Sequence, residues 1–95
     1  MILEVAILTI KKGLSSSFEQ NFKKAEPYIQ NNPGYISHEL KKCMESADKY
    51  ILLVKWETLE DHEEGFRKST NYLPWKELLH HYYDPFPVVE HYESL

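Results

Sequence analysis

Three things are scarce in this chain. It has one cysteine, three glycines and no long apolar run among its 95 residues. A single Cys43 forms no internal disulfide, which excludes the small secreted scaffolds that depend on them. Gly13, Gly34 and Gly65 stand far apart, so there is no glycine-rich phosphate loop and no nucleotide site is expected. Apolar runs such as Ile51-Leu52-Leu53-Val54 are far short of the ~20 residues that cross a bilayer. The start, Met1-Ile2-Leu3-Glu4, lacks the basic region and small-residue cleavage site of a signal peptide. A cytoplasmic protein with no membrane partner is the expectation. The 11 Lys/Arg are scattered among 15 Asp/Glu, for a net charge of −4. With no basic stripe, nucleic acid is not an expected partner. No His-Glu-x-x-His, Cys pair or other convincing ligand spacing occurs, so neither a metal nor a cofactor is expected.

What the chain has in quantity is aromatic side chains, 14% of its residues, with seven Tyr and two Trp. Such residues dominate the packing of small proteins and line ligand pockets. One domain spanning residues 1–95 accommodates them. Residues 2–10 read as a strand, rich in aliphatic and β-branched side chains. Leu14, Phe18, Phe22, Ala25 and Ile29 recur at helical spacing and predict an amphipathic helix over 15–31. Ser16 and Glu19 fit a capping box there, and Pro27 should kink the helix or restart it. Residues 35–43 and 49–57 form an antiparallel hairpin. Thr58 caps a helical stretch carrying Leu59, His62 and Phe66. A second helical piece covers about 71–82, and Val88–Tyr92 is a last strand. The order β-α-β-β-α-β is the ferredoxin-like split pattern of α+β proteins. Strands one and three become central and the more charged strands two and four become edges.

Both central strands are apolar on both faces. Two helices cover one face, so Val5, Ile7, Ile51 and Leu53 need another cover. The simplest is a second copy stacked sheet to sheet, which predicts a homodimer.

At this point Asn32-Pro33-Gly34-Tyr35, the junction Val54-Lys55-Trp56-Glu57-Thr58-Leu59-Glu60-Asp61-His62, and Phe66-Arg67-Lys68-Ser69 with Tyr72-Leu73-Pro74-Trp75 acquire meaning together. With the run His80–Tyr92, they make the chain resemble the antibiotic biosynthesis monooxygenase (ABM) family, in an uncharacterised bacterial branch. The resemblance covers residues 2–93 and implies a dimeric α/β barrel. It also implies an oxidative enzyme, since such families include cofactor-independent oxygenases of polyketides and quinols. Haem-degrading relatives place an Asn on the first strand and a Trp and a His in the second helical region. Here that strand has no Asn, and Phe66 and Lys76 stand near the other two places, so haem is not expected.

Pairing residue 42 with 50 puts Ile36 opposite Trp56, His38 opposite Val54 and Leu40 opposite Leu52, so His38 and Trp56 share a face. His62 comes down on that face with Phe66, and Tyr72 and Trp75 approach it. The expected pocket has His62 as general base, Tyr72 as its hydrogen-bonding partner in catalysis, and His38, Trp56, Phe66 and Trp75 as substrate-binding walls. Each also has a plainer reading as packing. His80 and His81 fall toward solvent by helical phase, and His91 toward the dimer contact. Cys43 has no activating base. The function expected is cofactor-independent monooxygenation of a small aromatic or quinol-type molecule. The alternatives are a non-catalytic dimeric module, binding a small hydrophobic ligand or serving in stress, and a dimer filled by its own aromatics. A cavity below about 300 Å³ would favour the last.

Overall fold

In the computed structural model, which describes residues 1–95, the apolar opening becomes strand β1 (Ile2–Thr9). It is followed by α1 (Ser15–Gln30), β2 (Tyr35–Lys42), β3 (Lys49–Trp56), one stretch of π-helix (Asp61–Phe66), α2 (Tyr72–Leu79), a 3₁₀ turn (His80–Tyr82) and β4 (Val89–Glu93). The strands make one antiparallel sheet in the order β2-β3-β1-β4. The α+β, ferredoxin-like arrangement is therefore present, with the apolar strands inside and the charged ones at the edges. No helix is long and apolar enough to cross a membrane.

Side-chain alternation divides the sheet. Ala6 and Leu8 of β1 and Tyr50, Leu52, Val54 and Trp56 of β3 are buried beneath the helices. Against them α1 lays Phe18, Phe22, Ala25 and Ile29, the predicted stripe, and the later elements add Phe66, Trp75, Leu79 and Tyr82. On the opposite face Val5, Ile51 and Leu53 are half-buried and Ile7 is exposed.

Four local expectations change. Helix α1 has no side-chain cap. Ser15, not Ser16, is engaged there, donating to Asp48 Oδ1 at 2.8 Å, and Glu19 accepts the Tyr50 hydroxyl instead of closing a capping box. Contacts to the β2–β3 hairpin displace the local motif. Pro27 lies inside one continuous helix and does not restart it. The predicted hairpin register holds for His38, Leu40 and Lys42, opposite Val54, Leu52 and Tyr50. A bulge between Tyr35 and Ser37 then puts Tyr35, rather than Ile36, opposite Trp56. Finally, the turn after Thr58 winds as π-helix. Thr58 Oγ1 accepts the Asp61 N–H at 3.2 Å while the Asp61 carboxylate accepts the Thr58 N–H at 3.1 Å, a reciprocal cap. Asp61 fits because Gly34 lies beneath it: a Cβ on Gly34 would fall 2.1 Å from the Asp61 carboxyl carbon. Gly34 also has φ +83°, a conformation glycine adopts freely. The wide turn delivers both His62 and Phe66 to the sheet.

Candidate functional site

Between the covered face of the sheet and the second helical region lies a cavity of about 360 Å³. Ala6, Leu8, Leu52 and Ile29 make its apolar floor, and Phe66, Tyr72, Trp75 and Tyr83 its aromatic walls. Arg67 and Phe86, both exposed, stand at its rim with Pro87 and Val89. Three further polar side chains line it: Glu4, His62 and His80.

Glu4 is in the central strand, opposite Val54 on one side and His91 on the other, with its side chain on the helix-covered face. That side chain is 7% exposed. Its Oε1 accepts the Trp56 indole N–H at 2.9 Å and lies 3.4 Å from His62 Nε2. Both contacts fall on the same oxygen. No buried side-chain oxygen or nitrogen lacks a partner, so Oε2 is not sealed in the core but opens onto the cavity. His62 stacks on Trp56, ring centres 5.4 Å apart, and its Nδ1 is 2.8 Å from His91 Nε2.

Burial sets the protonation states here. It pushes the Glu4 carboxyl up to about 7, against the Trp56 hydrogen bond and the Arg67 charge, which favour the anion. Burial, then the charges of Arg67 and His91, lower His62 to about 3. Burial, then Lys76, lower His80 to about 4. Burial raises both Tyr72 and Tyr83, with Arg67 pulling Tyr72 back. Near neutrality the imidazoles are uncharged and these phenols protonated, while Glu4 exchanges its proton. A carboxyl so placed is the chemistry expected of a general base or acid. No three His, Cys, Asp or Glu side chains converge to hold a metal ion.

Of the residues singled out from sequence, His62, Tyr72, Phe66 and Trp75 line this cavity. Trp56 does not; it is wholly buried behind Glu4 and holds the carboxyl. His38 does not either. It shares the sheet face, but on edge strand β2 beneath α1, where its ring nitrogens meet the Tyr35 hydroxyl at 2.5 Å and Glu26 Oε2 at 2.6 Å. His80 turns into the cavity rather than to solvent, because α2 ends at Leu79 and the chain tightens into a 3₁₀ turn that shifts the helical phase. His91 faces His62, because β4 pairs it with Glu4 on the helix-covered side of the sheet. Glu4, Arg67, Tyr83 and Phe86 were not anticipated. For Glu4 a signal existed: it shares parity with Ile2, Ala6, Leu8 and Ile10 and is a carboxylate on the buried face of a central strand.

Comparison with known proteins agrees with this architecture. Residues 1–78 match the model of the antibiotic biosynthesis monooxygenase family. The uncharacterized protein YczJ of Bacillus subtilis (strain 168) is 56% identical over 95 residues, the whole of both chains. A proposed antibiotic biosynthesis monooxygenase from Bordetella bronchiseptica superposes with a TM-score of 0.93 at 28% identity, over 99% of this chain and 96% of that one. SnoaB, a cofactor-independent oxygenase from Streptomyces nogalater, shares the fold with a TM-score of 0.78 at 18% identity, over 99% and 92% of the two chains. By the extent of these matches, the chain belongs to the antibiotic biosynthesis monooxygenase family.

Proposed function

We propose that the protein is a cofactor-independent monooxygenase of a small, flat, electron-rich phenol or hydroquinone. The observation that carries this reading is the aromatic-walled cavity of about 360 Å³ with a Glu4 carboxyl oxygen open onto it. Its volume exceeds the roughly 300 Å³ below which a self-filled interior would be favoured. Family membership and the fold shared with SnoaB support the same class of reaction.

The chemistry follows from the lining. Tyr72, Tyr83, Phe66 and Trp75 would hold a flat ring and exclude water. The substrate hydroxyl gives its proton to a base in the cavity, and Arg67 at the rim stabilises the resulting oxyanion. The anion passes one electron to dioxygen, and the superoxide and substrate radical combine at a ring carbon bearing hydrogen. The peroxide anion regains a proton from solvent and loses water to leave a new carbonyl. One oxygen atom enters the product and the other leaves as water, so the substrate supplies all four electrons.

A homodimer is part of the proposal. Val5, Ile51 and Leu53 are half-buried and Ile7 is exposed on the uncovered sheet face, and a second sheet would remove them from water. Leu53→Glu should dissociate or unfold the protein, since a buried unpaired carboxylate costs several kcal/mol. A monomer of the wild type in sedimentation at micromolar concentration would refute the assembly. Oxygen uptake and incorporation of labelled oxygen with unsubstituted naphthohydroquinone test the reaction. Turnover with one labelled atom in the product is expected. Binding of hydroquinones and naphthols without oxygen consumption would overturn it in favour of a ligand-binding module.

A further inference from the structure

We propose that Glu4, rather than His62, takes the substrate's proton, and that His62 and His91 carry that proton to solvent; this deepens the oxygenase reading of the same cavity and rests on it. The geometry assigns the roles. Glu4 presents a free Oε2 to the cavity, while Oε1 is held by Trp56. His62 is engaged on both sides, Nε2 lying 3.4 Å from Glu4 and Nδ1 2.8 Å from His91 Nε2. His91 is in edge strand β4 and is only half-buried, so the row runs from the sealed floor to the surface.

Protons balance along this row. In the resting state Glu4 is a carboxylate, His62 carries its proton on Nε2, and His91 donates from Nε2 to His62 Nδ1. The substrate proton binds Glu4 Oε2. With the carboxylate charge gone, both imidazoles exchange to their Nδ1–H tautomers, His62 now donating to His91 Nε2. A half-turn of the carboxyl brings its proton toward the vacated His62 Nε2 as that gap closes. His62 accepts at Nε2 and releases from Nδ1 to His91 Nε2, and His91 releases its Nδ1 proton to water. Each side chain ends in its starting state, with one proton taken from substrate and one delivered outside. His62 never needs to store a charge, which suits an imidazole buried against Trp56.

The groups facing Glu4 are Trp56 from β3, His62 and Arg67 from the π-helical region, Tyr72 from α2, Tyr83 after the 3₁₀ turn and His91 from β4. Among these, Glu4 changes charge near pH 7, whereas His62 is neutral throughout the working range. The two candidates for the base therefore give different profiles. With Glu4 as base, kcat rises with pH through about 7. With His62 as base, kcat is already level from about pH 5 upward.

The test uses unsubstituted naphthohydroquinone and the full-length protein. Glu4→Gln keeps an acceptor for Trp56 and should lower kcat by roughly 10²–10⁴. His91→Gln should lower kcat with KM unchanged and recover on addition of free imidazole. Retention of kcat within roughly tenfold in Glu4→Gln, or a wild-type profile level from about pH 5, would overturn the assignment. Nitrogen NMR of the resting protein supplies an arm that needs no turnover. As Glu4 takes up a proton, His62 should move its own from Nε2 to Nδ1, and Glu4→Gln should abolish that change. A His62 tautomer fixed across the titration would overturn the relay. The tautomer change without oxygen uptake would retain the proton path and overturn the oxygenase reading instead.

Discussion

Two histidines in this molecule each face a carboxylate, and they differ in what remains open around them. His38 and Glu26 meet at 2.6 Å, and the Tyr35 hydroxyl closes the other ring nitrogen. That histidine has no free polar atom, and α1 covers it. His62 and Glu4 lie further apart, 3.4 Å, at the floor of a cavity, with one carboxyl oxygen committed to Trp56 and the other free. Both histidine side chains are nearly sealed from solvent, 6% and 4% exposed. Neither residue type nor burial separates them. The space each pair faces does. Glu4 and His62 line a cavity walled by Phe66, Tyr72, Trp75 and Tyr83. Glu26 and His38 border an open groove among the charged Glu19, Lys23 and Lys42, with both nitrogens of that histidine already engaged.

The largest expected effect divides the two pairs by turnover. His62→Ala should lower kcat on naphthohydroquinone by roughly 10² or more, through loss of the path from Glu4 to His91 and of the stacking against Trp56. His38→Ala should change kcat by less than about threefold. Steady-state oxygen uptake decides between them. Equal losses in both variants would mean that the network around His38 reaches the cavity, and the contrast would collapse.

How far this contrast can be read from sequence depends on the residue. The order of strands follows from composition, because β1 and β3 are apolar on both faces and can only be central. Lys42 opposite Tyr50 fixes the hairpin phase up to the bulge, where Ile36 loses its expected partner to Tyr35. The parity of Glu4 with Ala6 and Leu8 in β1 places it on the buried face by alternation alone. The separation of His38 from His62 is not local information. Both fall on the same sheet face, and which is covered depends on α1 lying over β2 and on the π-helical turn lying over β1. His80 is hidden for a different reason, a change of helical pitch after Leu79 that hydrophobic spacing alone does not encode.

A second effect sharpens the description of the cavity pair. Glu4 holds its proton more tightly folded, at about 7, than at its ordinary value of 4.5. Its contribution to stability is therefore full below about pH 4.5 and is lost as pH rises through about 7, a loss on the order of 3 kcal/mol. His62 acts in the opposite sense: stability is full above its ordinary 6.5 and is lost as pH falls toward about 3. Glu4→Gln removes the first dependence and leaves the second. Urea denaturation should show the variant gaining on the wild type between about pH 5 and about pH 8. A difference that is constant across that range would mean that the Glu4 carboxyl titrates in the folded protein as it does in an unfolded chain.

The smallest effect concerns the closed pair. Tyr35 joins the two regions, since its hydroxyl meets His38 while its ring packs edge-on against Trp56, centres 6.1 Å apart. Tyr35→Phe removes only the hydroxyl. His38 Nδ1 loses its partner, which should cost roughly 0.5–1.5 kcal/mol in urea denaturation. The phenyl ring still supports Trp56, so the indole should still hold Glu4 Oε1, and turnover should be unchanged. A stability loss with intact turnover fits a histidine that serves packing alone. A shift in the pH profile of turnover would mean that the Tyr35 hydroxyl acts on Glu4 through Trp56, and the two histidine sites would then be one network.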